Sequence, residues 1–268
     1  MSIKRLLFAL LMSILGTSIQ AETINCTPIT ALPATITAQG IYCLTHKLGT
    51  NMTSGTAITI NANNVTIDLN GWKVDDGAAG SGTLAVGILS NYDNVIIKNG
   101  IVRGFRIGIE LNGSGDVVQD ILSDTNQYIG IWLTGTGALA EHNQVVNTGN
   151  TNNCNAFGIA TTGVGATQSD NIVSGIVTGS GCFAEAIDVE GANGIVRNSV
   201  AINTAVPSGY TSYGIINQTP GGTIIVNNNV STFTYCIFNT QGIYTYNTAT
   251  NCTTDFSGGT SGLGNSGN

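Results

Sequence analysis

Ile107-Gly108-Ile109-Glu110-Leu111 is followed 22 residues later by Ile129-Gly130-Ile131-Trp132-Leu133, and the same unit recurs in both directions from this pair. Gly-Ile returns at Gly87-Ile88, Gly158-Ile159 and Gly214-Ile215, and Ala186-Ile187 and Cys236-Ile237 fill the remaining beats. A second column runs in phase with it: Asn99, Asp120, Asn143, Asn171, Asn198, Asn228 and Asn247. Two columns recurring every 19 to 30 residues mark a solenoid. A single coil cannot bury its apolar edge, so each must stack on its neighbours.

The steps between the columns separate rigid from variable parts of the coil. From Gly-Ile to the Asn column the step is 11 to 14 residues, whereas the return step ranges from 8 to 16. The long returns are insertions at roughly 147–157, 174–185 and 203–213. Ile/Val/Thr alternation predicts strands throughout and no helical period. Alternation places Ile107, Ile109 and Leu111 toward the core, and Gly108, Glu110 and Asn112 toward solvent. The Asn column suits a tight bend, because Asn tolerates left-handed backbone and its amide can bond to its copy one coil away, ~4.8 Å off.

The stretch Val65-Thr66-Ile67-Asp68-Leu69-Asn70-Gly71-Trp72, together with the Asn ladder, resembles the right-handed parallel β-helix proteins of the pectin-lyase-like superfamily over about residues 41–252. The resemblance implies an all-β fold, a single right-handed parallel β-helix with a capped N-terminal end. It implies no one activity, since the superfamily holds lyases, hydrolases, esterases, adhesins and metal-maturation accessories. In its polysaccharide enzymes, substrate lies along the sheet bordered by the variable loops. Its pectate lyases present an Arg base beside calcium-binding aspartates, and its polygalacturonases carry Asn-Thr-Asp, Asp-Asp, Gly-His-Gly and Arg-Ile-Lys segments. No such set occurs here, so no catalytic residue is carried over.

The organisation expected is a signal peptide over 1–21, an N-terminal cap and lead-in strands over 22–62, β-helix repeats over 63–256, and a Gly/Ser-rich tail over 257–268. Lys4 and Arg5 precede the apolar run Leu6 to Leu15 and a small residue at Ala21, which reads as a secretory signal cleaved near Ala21. That run is too short to span a bilayer. Secretion or a periplasmic location follows, with no membrane insertion and a monomeric state expected. Without Lys4 and Arg5, the eight basic residues become six against 15 acidic ones. So negative a surface repels phosphate backbones and argues against nucleic acid. It also favours neutral glycans over polyuronates. A hydrophobic fraction of 42% argues against disorder.

Six cysteines in an exported chain point to disulfides. Cys154 and Cys182 each lie four residues before the Gly-Ile column in successive coils, close enough for a bridge. Cys26 and Cys43 would clamp the N-terminal cap, leaving Cys236 with Cys252. Zinc is the rival reading, but no Cys-x-x-Cys or Cys-His spacing supports it. No metal and no cofactor are expected, and two histidines with three methionines give copper few ligands.

The outward column after each Ile reads Leu89, Glu110, Trp132, Ala160, Asp188, Ile216 and Phe238, with Glu190 following on the same face. An aromatic ring stacks on the C–H face of a sugar while carboxylates take its hydroxyls, so Glu110, Trp132, Tyr210 and Phe238 are the candidate substrate-binding residues. The bland alternative is that overhanging loops simply bury Trp132 and Phe238. Asp188 and Glu190, ~6–7 Å apart by strand rise, are the candidate catalytic pair, near the lower edge of inverting glycosidase spacing. Glu110 is too far from them, at ~14 Å. By alternation Glu185 points inward, and a buried carboxylate then demands a partner or a register shift. His142, Asp170 and Arg197 form a further polar column, read as a surface charge ladder rather than a base with its orienting acid. The leading expectation is an exported protein that binds a polysaccharide or cell-surface glycan along the Gly-Ile sheet. A lyase or glycoside hydrolase with an unfamiliar carboxylate site is the alternative, and a structural or periplasmic accessory module is the third.

Overall fold

Short strands rich in Ile and Val satisfy half of their backbone bonds only by pairing, and a chain that turns in the same sense after each strand pairs every strand with its copy in the next coil. The computed structural model describes residues 25–150, 154–204, 206 and 208–267, and over them the chain is a parallel β-solenoid of about eight turns. Ten strands, from Ala34–Ile36 to Thr254–Ser257, stack into one sheet that carries the Gly-Ile column. Eighteen further strands make the rest of each coil. Register is parallel from coil to coil, as in Glu110 opposite Trp132 and Ala160 opposite Asp188. The single helical segment among the described residues is one 3-10 turn, Gly77–Ala79, and no helix there is long and apolar enough to cross a membrane. The signal peptide expected over 1–21 lies outside the described residues, as do parts of two of the insertions.

Each coil turns three corners, and a left-handed residue sits at each. Asn94, Gly115, Gly137, Gly165 and Asn193 form one column of positive φ. Asn99, Asp120, His142, Asp170, Asn198, Asn227 and Tyr246 form the second, and Thr125, Asn147, Gly175, Thr232 and Asn251 the third. The insertions follow the third corner and lead into the Gly-Ile strands.

The Asn column therefore resolves into two. Asn99, Asp120 and Asn198 are themselves the left-handed bend residues. Asn143, Asn171, Asn228 and Asn247 follow the bend residue and point inward, essentially without exposure. Asn171 Oδ1 accepts from the Asn143 backbone N–H at 2.9 Å, and Asn171 Nδ2 donates to the Ala140 carbonyl at 2.9 Å. Asn247 serves Asn228 in the same way, and Asn265 serves Asn247. The bend interrupts the sheet ladder, and these side chains replace the lost bonds. The same offset breaks the expected His142–Asp170–Arg197 column. His142 and Asp170 are bend residues, whereas Arg197 lies in register with Ser169 and Val226.

A second correction concerns the Gly-Ile strands. The column Ile88, Ile109, Ile131, Ile159, Ile187, Ile215 and Ile237 is fully buried, as expected. The glycines before it also face the core: a Cβ on Gly87 would lie 2.9 Å from Phe105 and Val102 and 2.4 Å from the Gly108 carbonyl. Two consecutive residues thus point inward, strict alternation fails there, and the residue before each Gly-Ile faces outward with the residue after it. Ile107 and Ile129 are accordingly outward-facing residues shielded on the outer face, not part of the core cluster.

Three disulfides close the structure, Cys26–Cys43, Cys154–Cys182 and Cys236–Cys252, with Cα separations of 5.8, 5.2 and 5.7 Å. The ladder continues beyond residue 256: Thr260–Ser261 pairs with the strand Gly242–Thr245, and Asn265 adds a rung to the Asn ladder.

Removing one rung tests its weight. Asn171→Ala strips the Asn143 N–H of its acceptor inside the core, so chemical denaturation should report a loss of ~1–3 kcal/mol. Asn227→Ala, at an exposed bend position, should cost less than the buried rung.

Candidate functional site

Because the register shifts at each Gly-Ile, two outward columns rather than one line the outer face of this sheet. The column before the glycine reads Val86, Ile107, Ile129, Phe157, Glu185, Tyr213 and Tyr235, and the column after the isoleucine reads Leu89, Glu110, Trp132, Ala160, Asp188, Ile216 and Phe238. Glu185 and Asp188 thereby share one coil and one face. This is the register shift that a buried Glu185 required.

Small residues open a cavity here. Ala160 and Thr162 interrupt the run of large outward side chains, leaving a depression of about 150 Å³. Tyr128, Ile129, Trp132 and Phe157 wall it on one side, and Asp188 and Glu190 close it on the other. Tyr128 meets Phe157 edge-on with 5.5 Å between ring centres, and the Arg106 guanidinium covers the Tyr128 ring at 4.8 Å. Beyond the carboxylates, in the following coils, Tyr213 stacks on Tyr235 at 5.2 Å and both meet the Phe238 edge. The acidic cluster lies between two aromatic groups.

The electrostatics of the cluster are set by burial. Asp188 is 4% exposed and Glu185 6% exposed. Asp188 Oδ1 is buried with no hydrogen-bond partner. Burial pushes the Asp188 carboxyl well above the usual carboxylate range, and Glu185 and Glu190 add to the rise. Burial likewise raises Glu185 to about 7, with Glu190 contributing. Burial raises the neighbouring Tyr213 phenol, and Tyr235 and Glu185 act in the same direction. None of the ion pairs among the described residues involves these acids; the pairs join Lys73, Lys98 and Arg103 to Asp68, Asp75 and Asp124.

Of the residues singled out from sequence, Trp132, Asp188 and Glu190 line one cavity. Glu110 lies one coil before Trp132 and accepts from Asn112 Nδ2 at 3.3 Å. Phe238 belongs to the second aromatic group. Tyr210 does not join them: it packs against the edge of the core and donates its hydroxyl to the Ile176 carbonyl at 3.4 Å. Sequence reasoning missed Glu185, Tyr128, Phe157, Tyr213 and Tyr235 as face residues. A signal existed, since Phe157, Tyr213 and Tyr235 each stand immediately before the Gly-Ile column or its substitute.

No protein-family model and no curated protein matches the chain. Among solved structures it is similar to the Dettilon tailspike protein (gp208), at 14% identity and a TM-score of 0.54 over 89% of this chain. The alignment covers 51% of the tailspike, so this chain spans about half its length. A tailspike protein double mutant of E. coli bacteriophage HK620 aligns at 10% identity and a TM-score of 0.44, over 86% of this chain and 60% of that one. The likeness to the first establishes the fold, a right-handed parallel β-helix.

The buried acids make stability depend on pH. Their folded-state pKa values lie above the unfolded ones, so the folded state holds more protons between the two and stability falls as pH rises through that window. For Glu185 the window runs from 4.5 to about 7. Thermal unfolding should therefore find the protein less stable at about pH 8 than at about pH 5, by on the order of 2 kcal/mol. Glu185→Gln with Asp188→Asn should remove the part of that difference that these two acids contribute. The remaining slope belongs to Asp116, raised to about 7 by burial against two backbone N–H bonds, and is common to both proteins.

Proposed function

We propose that this chain is an exported β-helix protein that binds a polysaccharide along the outer face of its Gly-Ile sheet. One observation carries the reading: an open depression on a regular sheet where aromatic rings flank buried carboxyl groups. Sugar rings present C–H faces to aromatics and hydroxyls to carboxyl oxygens, and repeating sugars match a surface that repeats every ~4.8 Å along the stack. The similarity of fold to a phage tailspike supports a surface-exposed setting. The three disulfides agree with export.

A second reading, glycoside hydrolysis, is favoured by Asp188 in particular. A carboxyl held protonated near neutral pH can give its proton to a departing glycosidic oxygen. Glu190, ~6–7 Å away by strand rise, would take a proton from the water whose oxygen joins the anomeric carbon, in an inverting displacement. Lyase chemistry would call for a base beside the sugar, and the Arg106 guanidinium is engaged on the Tyr128 ring that lines the cavity.

A panel of polysaccharides separates the readings. Retention without product identifies a binder, new reducing ends a hydrolase, and unsaturated ultraviolet-absorbing ends a lyase. Trp132→Ala should weaken binding by ~1–2 kcal/mol, about what stacking contributes, while the fold survives. His142→Ala, on the exposed bend of another face, should leave affinity unchanged. Parental affinity in Trp132→Ala would show that the glycan lies elsewhere.

A further inference from the structure

The cavity beside Trp132 has a chemical preference of its own. Its carboxyl groups outnumber any cation near it. Glu185, Asp188 and Glu190 come from one coil; the coil below offers Phe157, Ala160 and Thr162, and the coil above offers Tyr213 and Ile216. Among the described residues no basic side chain forms an ion pair with the cluster, and Arg106 lies over Tyr128 on the far wall. Asp188 lines the space, and its Oδ1 is buried with no hydrogen-bond partner. Such an atom is costly to bury unless a ligand supplies a donor.

The ligand group that fits is not a bare metal ion. Among the described residues, the one set of three acidic, His or Cys ligand atoms gathered within 4.8 Å is Cys236, Cys252 and Asp255, and its two cysteines are joined in a disulfide. Asp188 and Glu190, the carboxyls that line the Trp132 cavity, do not belong to such a set. Dispersed negative charge facing aromatic walls is the arrangement that holds an ammonium group, which donates several hydrogen bonds and is attracted to ring faces. A depression of about 150 Å³ also has room for the part of a sugar ring that bears it.

Resting on the reading that this sheet binds a glycan, we infer that the cavity of Trp132, Phe157, Asp188 and Glu190 takes a protonated amine, so that the polysaccharide carries free amino sugars. Uptake of the cation favours the ionised carboxyls and displaces protons from the cluster. Binding therefore strengthens as pH rises from the acidic side toward neutrality, and salt weakens it.

The test compares oligomers of glucosamine with N-acetylglucosamine oligomers of the same length by calorimetric titration of the mature chain. Near pH 7 the amino form should bind about tenfold or more tightly than the acetylated form. At about pH 5 that preference should shrink as the carboxyls take up protons. Asp188→Asn should abolish the preference between the two oligomers, and its unfolding temperature should not fall, because it keeps the shape of the side chain and removes the cost of ionising a buried carboxyl. Equal or tighter binding of the acetylated form overturns the inference, as does a preference that survives in Asp188→Asn. If neither oligomer binds but another polysaccharide does, the amine inference fails and the glycan-binding reading stands. If no polysaccharide binds, both fail.

Discussion

The hydrogen bond from a buried Asn side chain to the backbone of the adjacent coil is the interaction on which the solenoid depends. A parallel ladder satisfies strand backbone automatically, but it stops wherever the chain bends. At the second corner the left-handed bend residue turns the next N–H inward, and an unpaired amide in the core would cost about as much as several methyl groups gain. Asn143, Asn171, Ser199, Asn228 and Asn247 pass these bonds from coil to coil. The corner thus becomes as regular as the strands and holds every later coil in register.

That register builds the functional face. Two inward residues at each Gly-Ile displace the strand by one position, so that the residues on either side of the pair point outward together. The glycines permit it because any Cβ there would press on a neighbouring carbonyl and the core side chains. The consequence at Ala186-Ile187 is chemical. Glu185 and Asp188, three positions apart, come to the same surface, where packing shelters both almost completely from water. Their raised pKa values follow from this shelter and from mutual repulsion within the cluster.

Aromatic residues grade the face along its length. Tyr128, Trp132 and Phe157 stand before the acids, and Tyr213, Tyr235 and Phe238 stand after them. In these two groups, residues that a globular core would bury are left half-exposed on a flat sheet.

The sequence by itself determined the parallel solenoid, the corner with insertions, and the Cys154–Cys182 pair, because each is a periodic property that survives without coordinates; the other two cysteine pairs followed from their place at the N-terminal segment and from elimination. It also marked Trp132, Asp188 and Glu190 as sharing a face. It did not separate bend residues from ladder residues, since Asn serves both the left-handed corner at Asn99 and Asn198 and the inward rung at Asn143 and Asn171. Nor did it place Glu185. Strict alternation assigns a strand residue by parity, and only the packed coils decide where parity breaks, because the break depends on how closely one coil's glycine approaches the next coil's carbonyl. Tyr210 illustrates the same limit: named as an aromatic candidate for sugar stacking, it packs at the core edge and donates its hydroxyl to the Ile176 carbonyl. Periodicity is local and legible, whereas the direction of a side chain at a kink is fixed by neighbours about 28 residues away.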